Sequence, residues 1–318
     1  MANSPRKEYR MSNYQKVFKR TEKKYLVTDL QYRALMNAIG GYLEPDKFGQ
    51  TEILNIYYDT PDFRLIRTSL EKPVYKEKLR LRSYGVPAAD DKAFIELKKK
   101  YKGVVYKRRI DAPYAEALRY LNAGSSVKPM LNARQKDNTL QIMKEINYFM
   151  SMYPGIGPAM ALSYDRLAYN WVSAEDNTAA DVNASSSVET LSCYKPAIRI
   201  TADTNIRYRR SQLDLRYGAK GTELLEPGMH LIEIKLEGGM PLELSRALNE
   251  LEIYPTSFSK YGRAYQATLA RGEIDPAHAW IPDADTENGK WSMNAALAAG
   301  QNVAAAANKV LTAVAWQN

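Results

Sequence analysis

The chain has 318 residues, a formal net charge of +9 and 45% hydrophobic residues. This hydrophobic content excludes global disorder and allows one large domain or two smaller ones. A single cysteine, Cys193, excludes a disulfide framework, and two histidines argue against a zinc cluster or a Ser-His-Asp triad. The positive charge predicts an anionic partner, which at this level is a nucleic acid, an acidic lipid or a phosphate compound.

The N-terminal segment predicts a soluble protein. Residues 1–14 are expected to form a flexible basic leader without an apolar signal core. No run of roughly 18 apolar residues occurs in the sequence, so we expect a cytoplasmic protein without a transmembrane segment. The basic leader leaves a membrane-protein partner open.

The first half of the chain alternates between predicted strands and helices. A strand in "VFKRTEKKYLV" precedes a helix in "TDLQYRALMNAIGGYL", where Thr28 and Gln31 form a capping box. The strand "EILNIYYDT" and the short helix "PDFRLIRTSL" follow. The polar connection "VPAADD" predicts that the strands "YKEKLRLRSYG" and "KAFIELKKKY" form a hairpin, and "GVVYKRRID" is the next strand.

The second half of the chain also combines predicted helices and strands. Apolar spacing predicts helices in "PYAEALRYLN" and "NARQKDNTLQIMKEINYFMSMY", followed by the strand "AMALSYDRLAYNWV". Residues 173–193 are predicted to be a low-complexity surface loop, and residues 276–318 an Ala-rich, helical tail. Between them lie the strands "AIRITADTNIRYRR" and "HLIEIKLEG" and the helices "PLELSRALNEL" and "SFSKYGRAYQATLAR". Many antiparallel strands with interspersed helices predict an α+β fold.

Several predicted strands carry their charges on one face. In "YKEKLRLRSYG", Lys76, Lys78, Arg80 and Arg82 share a face because successive strand side chains alternate. The charged residues that alternate in this way in the other strands are Arg20, Glu22, Lys24, Glu96, Lys98, Lys100, Lys107, Arg109, Arg199, Asp203, Arg207, Glu233 and Lys235. Like charges on one face repel each other, which indicates an anionic ligand.

Three arrangements can account for these strands. The faces could be solvated, they could form an open basic platform for nucleic acid, or they could line a closed cationic tunnel. The mid-strand residues Glu22, Glu96 and Glu233 favour the tunnel, because a phosphate site with a divalent metal needs oxygen ligands. Interleaved aromatic stacking positions are missing, so no nucleic acid is expected. Glycine-rich phosphate loops are also missing, so phosphate binding must depend on side chains.

Motifs in a fixed order resemble a known family. "RTEKKYLV" resembles the first-strand ExExK motif of the triphosphate tunnel metalloenzymes (the CYTH superfamily), with Arg20 in place of the first Glu. "IYYDTPDFRL", "KLRLRSYG", "FIELKKK", "AIRITADTNI" and "HLIEIK" follow in the expected order. "SFSKYGRAY" is similar to the FSKY motif of the vacuolar transporter chaperone (VTC) domain, which is the polyphosphate polymerase branch.

This resemblance implies an eight-stranded antiparallel β tunnel barrel with surrounding helices in residues 15–275. It implies transfer of the γ-phosphate of ATP to inorganic polyphosphate, with Mn²⁺ or Mg²⁺. The catalytic phosphate ligands that it implies are Lys24, Arg80, Arg82, Lys98, Arg199 and Lys260. Further binding contacts are Lys78, Lys107, Arg207 and Ser259, and the metal ligands are Glu233 and Glu22. Loss of the first acid at Arg20 favours the polymerase branch over a hydrolase.

Other functions stay open at this point. The same tunnel could hydrolyse inorganic triphosphate or a nucleoside triphosphate, with Glu22 or Glu96 as the base that activates water. A non-catalytic polyphosphate-binding module is a further alternative. Asp59 and Asp203 are interpreted either as turn caps or as carboxylates that orient tunnel arginines.

Overall fold

The computed structural model describes residues 21–123, 138–172 and 198–274. The predicted leader at 1–14, Arg20, the loop at 173–193 and the tail at 276–318 lie outside the described residues. The expectations for these segments therefore remain predictions.

The described residues form ten strands and six α-helices. The strands are β1 Thr21–Thr28, β2 Leu43–Pro45, β3 Thr51–Asp59, β4 Tyr75–Tyr84, β5 Lys92–Tyr101, β6 Val104–Pro113, β7 Gly157–Trp171, β8 Ile198–Arg209, β9 Thr222–Glu223 and β10 Met229–Leu236. The helices are α1 Asp29–Ile39, α2 Arg64–Leu70, α3 Tyr114–Ala123, α4 Asn138–Met152, α5 Leu242–Glu250 and α6 Lys260–Ala270. No helix in these ranges is both long and apolar enough to span a bilayer.

One antiparallel sheet organises the fold. Its strand order is β1-β10-β8-β7-β3-β4-β5-β6, with β2 paired to β7 and β9 paired to β8. Among the described residues, β1 and β6 are not paired with each other, so the hydrogen-bonded path stays open between them. The predicted α+β fold with an eight-stranded antiparallel framework is confirmed, and β2 and β9 are short additions that the sequence pattern did not predict.

Helices cover the apolar face of this sheet. The alternate residues Leu79, Leu81 and Leu97 are fully buried and belong to one cluster with residues of α3 and α4. A second cluster joins β1, β8 and β10 to α1 and α5. Each buried leucine or isoleucine stabilises the fold by about 1.5–3 kcal/mol. Because one face is buried in this way, the register directs the alternate charged residues to the other face.

Polar side chains fix how two of the helices leave the strands. Thr28 and Gln31 form the predicted capping box at the start of α1. At the end of β3, the buried carboxylate of Asp59 accepts hydrogen bonds from the backbone N–H groups of Leu65 at 2.8 Å and Ile66 at 3.0 Å. Asp59 is therefore a cap for α2, which resolves one of the alternatives left open by the sequence.

A β-bulge reverses the facing of the second half of β8. Asp203 lies opposite Arg166 of β7, but Arg207 lies opposite Ser163, because the register shifts by one residue near Asn205. Asn205 has a positive φ of 50°, as the extra residue in a bulge often does. Residues directly opposite each other share a face. Asp203 and Arg207 therefore project from opposite faces of the sheet.

The turn between β8 and β9 depends on a glycine. Gly221 has φ of 139°, and a Cβ there would lie 2.3 Å from the backbone oxygen of Tyr208. We expect Gly221→Ala to lower the free energy of unfolding by about 3 kcal/mol, because neither backbone segment can move away. Gly40→Ala is the control, since Gly40 has helical backbone angles and open space around it. Equal stability of the two variants in urea unfolding would contradict this account.

Candidate functional site

The strand register gathers the charged side chains on one face of the sheet, which is called the charged face below. Lys24 lies opposite Glu233, Arg80 opposite Glu96, and Glu96 opposite Arg109. The cations of this face include Lys24, Lys76, Lys78, Arg80, Arg82, Lys98, Lys100, Lys107, Arg109, Arg166, Arg199 and Lys235. Its carboxylates include Glu22, Glu96, Asp203 and Glu233. The N-terminal residue of α6, Lys260, reaches this face and contacts Asp203 and Glu233.

Glu233 is the centre of the first group of charges. Its carboxylate lies 3.1 Å from Lys260 Nζ, 3.4 Å from Lys235 Nζ, 3.5 Å from Lys24 Nζ and 3.6 Å from Arg166 Nη2. Burial raises the pKa of Glu233, but these cations outweigh burial and hold the pKa well below its usual range. The carboxylate is therefore ionised and surrounded by positive charge.

Asp203 adds a second carboxylate to the same group. It is fully buried and accepts two hydrogen bonds from Arg166, at 2.6 and 2.7 Å, in the bidentate geometry that fixes a guanidinium. Its other contact is Lys260 Nζ at 2.5 Å. Asp203 therefore orients an arginine, which resolves the second alternative left open by the sequence. The members of this Glu233 cluster are Lys24, Arg166, Asp203, Glu233, Lys235 and Lys260.

Glu96 is the centre of a second group, the Glu96 cluster. The side chain of Glu96 is 1% exposed and lies 2.6 Å from Lys107 Nζ and 2.7 Å from Arg80. Arg109 and Arg82 complete the group at 3.4 and 3.8 Å. Burial raises the pKa of Glu96, whereas the surrounding cations lower it more strongly, so its pKa falls far below the usual range. One carboxylate therefore holds four cations, and the cluster keeps an excess of positive charge.

Neutral polar groups fix the two central arginines. Arg82 Nε donates to Asn55 Oδ1 at 2.8 Å, and Arg82 Nη2 donates to the Tyr164 hydroxyl at 3.0 Å. Arg80 Nη1 donates to the Tyr57 hydroxyl at 3.1 Å. Burial raises the pKa of Tyr57, but Arg80, Lys78 and Arg82 lower it to about 8. Both guanidinium groups are held in place before any ligand arrives.

Tyr164 connects the two clusters. Its hydroxyl binds Arg82 of the Glu96 cluster. Its ring lies beneath Lys260 Nζ, 4.6 Å from the centroid, and beneath the Arg166 guanidinium at 5.2 Å. These are cation–π distances. A ligand that contacts Arg82 and Lys260 would therefore lie beside both clusters.

The start of α6 docks against the sheet through its own motif residues. Ser259 caps the helix by accepting from Gly262 N, and Ser259 Oγ also accepts from Lys78 Nζ at 3.2 Å. The Tyr261 hydroxyl donates to Asp59 at 2.9 Å, and its ring stacks on Tyr57 with centroids 4.5 Å apart. These contacts fix the helix that presents Lys260.

The segment before α6 is attached to β1. Thr256 N donates to the backbone oxygen of Lys24 at 2.7 Å, and Lys24 Nζ donates to the Phe258 oxygen at 2.9 Å. The segment therefore links the first strand of the sheet to α6, and through Ser259 and Lys78 to β4.

The structure brings most of the sequence-predicted residues together. Those that lie in or against the two clusters are Lys24, Lys78, Arg80, Arg82, Lys107, Glu22, Glu233, Ser259 and Lys260. Lys98 shares the charged face and is exposed, opposite Lys78 and Lys107. Arg199 also shares this face, but its side chain is 45% exposed and pairs with Asp46 at 2.5 Å.

Arg207 is the sequence-predicted site residue that does not lie on the charged face. Its guanidinium pairs with Glu223 of β9 at 3.0 Å, and the β-bulge at Asn205 directs it to the face opposite Asp203. The sequence pattern assumed that β8 continues without interruption, and the extra residue corrects that assumption.

Three cations of the clusters were not assigned a site role from the sequence. They are Arg109, Arg166 and Lys235. Arg109 and Lys235 follow the same alternation as the assigned residues. Arg166 is the single basic residue of β7, so an isolated cation in an otherwise mostly apolar strand was the available signal.

The carboxylates allow a restricted kind of metal site. Within the described ranges, no group of three or more His, Cys, Asp or Glu side chains is placed to hold a metal. Glu22 and Glu233 are diagonal neighbours on β1 and β10, and they face the same side. Glu22 is also one-third exposed. Mg²⁺ commonly binds through one or two carboxylates plus substrate phosphates. The pair fits a metal of this type, which completes its ligands with phosphate oxygens and water.

The chain is similar to one protein family and to two solved structures described below. The family model described as the VTC domain matches residues 19–178 and 191–269, well over half of the chain. A putative adenylate cyclase structure from Vibrio parahaemolyticus is 13% identical, with a TM-score of 0.35, and covers 79% of this chain and 97% of its own. A putative adenylyl cyclase from Hippeastrum, described as having a dominant triphosphatase activity, is 14% identical with a TM-score of 0.38. That match covers 80% of this chain and 97% of the other. No curated protein matches the chain.

The Glu96 cluster yields a test of ligand-dependent stability. We expect Glu96→Gln to lower the free energy of unfolding by about 3 kcal/mol, because four cations lose their shared buried carboxylate. Inorganic triphosphate should stabilise this variant more than the wild type, since the anion replaces the missing negative charge. Urea unfolding with and without triphosphate measures both effects.

A matched variant shows how much stability and triphosphate response change when an ordinary ion pair is removed elsewhere. Glu145→Gln removes the partner of Arg108 at a partly exposed site, where the expected cost is below about 1 kcal/mol. If Glu96→Gln gained no more stability from triphosphate than the wild type, the cluster would not be an anion site.

Proposed function

The chain belongs to the VTC domain family of the triphosphate-tunnel superfamily, and from this membership we propose that it is a polyphosphate polymerase. It would transfer the γ-phosphate of ATP to a growing inorganic polyphosphate chain. The observation that carries the proposal is the grouping of Lys24, Arg80, Arg82 and Lys260 with two cation clusters on one face of the sheet. The proposed partners are ATP and inorganic polyphosphate or triphosphate.

The proposed phosphoryl transfer requires fixed positive charges, which the charged face supplies. Phosphoryl transfer depends mainly on positioning and on neutralising charge, with little covalent chemistry for the protein. Arg80 and Arg82 can grip phosphate oxygens bidentately, and Asn55 and Tyr57 hold them in place. Lys24 and Lys260 act as point charges beside them. Such preorganised donors need no rearrangement when negative charge develops.

The proton requirements favour a phosphate nucleophile over water. The terminal phosphate of a polyphosphate chain is already anionic and needs little help from a base. Water needs a base, and Glu96 is poorly suited to this role because its cations keep its pKa far below the usual range. Glu22 is the more accessible carboxylate and is the residue on which a hydrolytic activity would depend.

Mn²⁺ or Mg²⁺ would be held by Glu233 and Glu22. When bound, the metal would supply Lewis-acid neutralisation of phosphate oxygens. Lys24 contacts both carboxylates, at 3.4 Å from Glu22 and 3.5 Å from Glu233, and therefore sets their orientation.

Incubation with ATP and Mn²⁺ or Mg²⁺ tests the proposal. We expect long-chain polyphosphate as the product, and we expect Arg80→Ala with Arg82→Ala to reduce its formation by at least about 100-fold, as loss of preorganised charge does elsewhere. Gel electrophoresis of the product measures chain formation. Orthophosphate as the sole product would instead establish a hydrolase, and no turnover with tight polyphosphate binding would establish a binding module.

Two controls accompany this assay. Arg33→Ala with Arg119→Ala removes two exposed helical arginines and should leave synthesis unchanged. Arg207→Ala should reduce synthesis far less than Arg82→Ala, because Arg207 projects from the opposite face. Full activity in the Arg80/Arg82 double variant would refute the site assignment.

Lys78 predicts a pH dependence of phosphate binding. Burial, the largest cause, lowers the pKa of Lys78 to about 8. A bound phosphate stabilises the charged form, so affinity should be highest below that pH. Above it, affinity should fall by up to about tenfold per pH unit. Arginine stays charged throughout this range.

Lys78→Arg isolates the effect of this lysine. The ratio of triphosphate dissociation constants, wild type over Lys78→Arg, should be constant below about pH 7 and rise above about pH 8. Ionisation of the ligand cancels in this ratio. A ratio that stays flat across the whole range would exclude Lys78 as a phosphate contact.

A further inference from the structure

A pair of lysines extends the charged face beyond the two clusters. Lys76 of β4 lies directly opposite Lys100 of β5, and Lys78 lies opposite Lys98 in the next pair on the same face. Lys100 is exposed, whereas Lys76 is half-buried and donates to the Ser69 backbone oxygen at 3.1 Å. In the part of the chain that the structure describes, no carboxylate pairs with either ammonium group.

These lysines differ from the inner cations in their charge balance. Lys260 contacts Asp203 and Glu233, and Lys107 contacts Glu96. Lys260 and Lys107 therefore have buried carboxylate partners, whereas Lys78 donates to the Ser259 hydroxyl instead. The outer pair consists of like charges directly across two strands, an arrangement that destabilises a sheet.

The outer pair also carries an electrostatic cost within the fold. Burial lowers the pKa of Lys76, and Lys100, Lys98 and Lys72 lower it further. On a surface whose charges served only solubility, carboxylates would be mixed with these lysines. Their repulsion is relieved by a polyanion that crosses both strands.

The cations form a continuous series that leads outward. Along β4 the series runs from the buried Arg82 through Arg80 and Lys78 to Lys76. At about 3.3 Å per residue, Arg82 and Lys76 are separated by about 20 Å along the strand. Three phosphate units bound at Arg82, Arg80 and Lys260 are too short to cover this distance, whereas a longer linear polyphosphate can follow the whole series.

We propose that Lys76 and Lys100 form an outer subsite for linear inorganic polyphosphate, which binds phosphate units beyond those held at Arg80 and Arg82. This inference rests on the proposed function, because it assigns the outward end of the charged face to the growing chain. The subsite favours long chains over triphosphate and retains the product near the inner clusters.

Equilibrium binding in the absence of ATP tests the subsite without requiring turnover. Dissociation constants are measured for inorganic triphosphate and for a size-fractionated longer polyphosphate, with the wild type, Lys76→Gln with Lys100→Gln, and Lys23→Gln with Lys47→Gln. The last variant loses the same charge at two exposed positions elsewhere on the protein. We expect the wild type to bind the longer chain more tightly than triphosphate.

The Lys76/Lys100 variant should lose about tenfold in affinity for the longer chain and keep its affinity for triphosphate. The Lys23/Lys47 variant should match the wild type for both ligands. The inference is overturned if the Lys76/Lys100 variant keeps the wild-type preference, if both ligands weaken equally, or if the wild type has no preference. A chain-length preference that depends on Lys76 and Lys100, in a protein that makes no polyphosphate from ATP, would refute the proposed polymerase and leave the subsite intact.

Discussion

The site depends on two buried carboxylates that allow many cations to share one face of a sheet. Burying a charge costs several kcal/mol unless it is paired and hydrogen-bonded. Glu233 and Glu96 each hold four cations, and Asp203 fixes Arg166 and Lys260 beside the first group. The carboxylates lower the repulsion without cancelling it, so the face keeps an excess of positive charge.

The alternation of residues in strands predicted most of this arrangement. In β4, Lys76, Lys78, Arg80 and Arg82 occupy alternate positions, and in β5 Glu96, Lys98 and Lys100 alternate with the buried residues Ile95 and Leu97. The face of Arg80, Arg82 and Glu96 could therefore be assigned from the pattern alone. The resemblance to the VTC domain added Lys260, which lies on a helix where alternation in strands says nothing. The α+β class also followed from the order of elements.

The remaining features arise from contacts that no single strand specifies. The bulge at Asn205 changes the facing of Arg207, and it depends on pairing between β7 and β8. Arg166 gains its role from Asp203, which is distant in sequence. The dual role of Asp59, as a cap for α2 and an acceptor for Tyr261, also joins segments far apart in the chain. Local patterns do not encode such long-range partners.

Helix α6 couples the two clusters through its first residues. Lys260 belongs to the Glu233 cluster, and Ser259 contacts Lys78, the neighbour of Arg80 along the charged face of β4. Tyr164 lies between them and touches Arg82 and Lys260. A displacement of α6 would therefore change both clusters together. Since Asp59 and Tyr57 fix Tyr261, residues outside the two clusters determine the spacing of Lys260 from the cluster charges. Because the proposed phosphoryl transfer would depend on that spacing, the packing of α6 is as much a part of the proposed site as its charges.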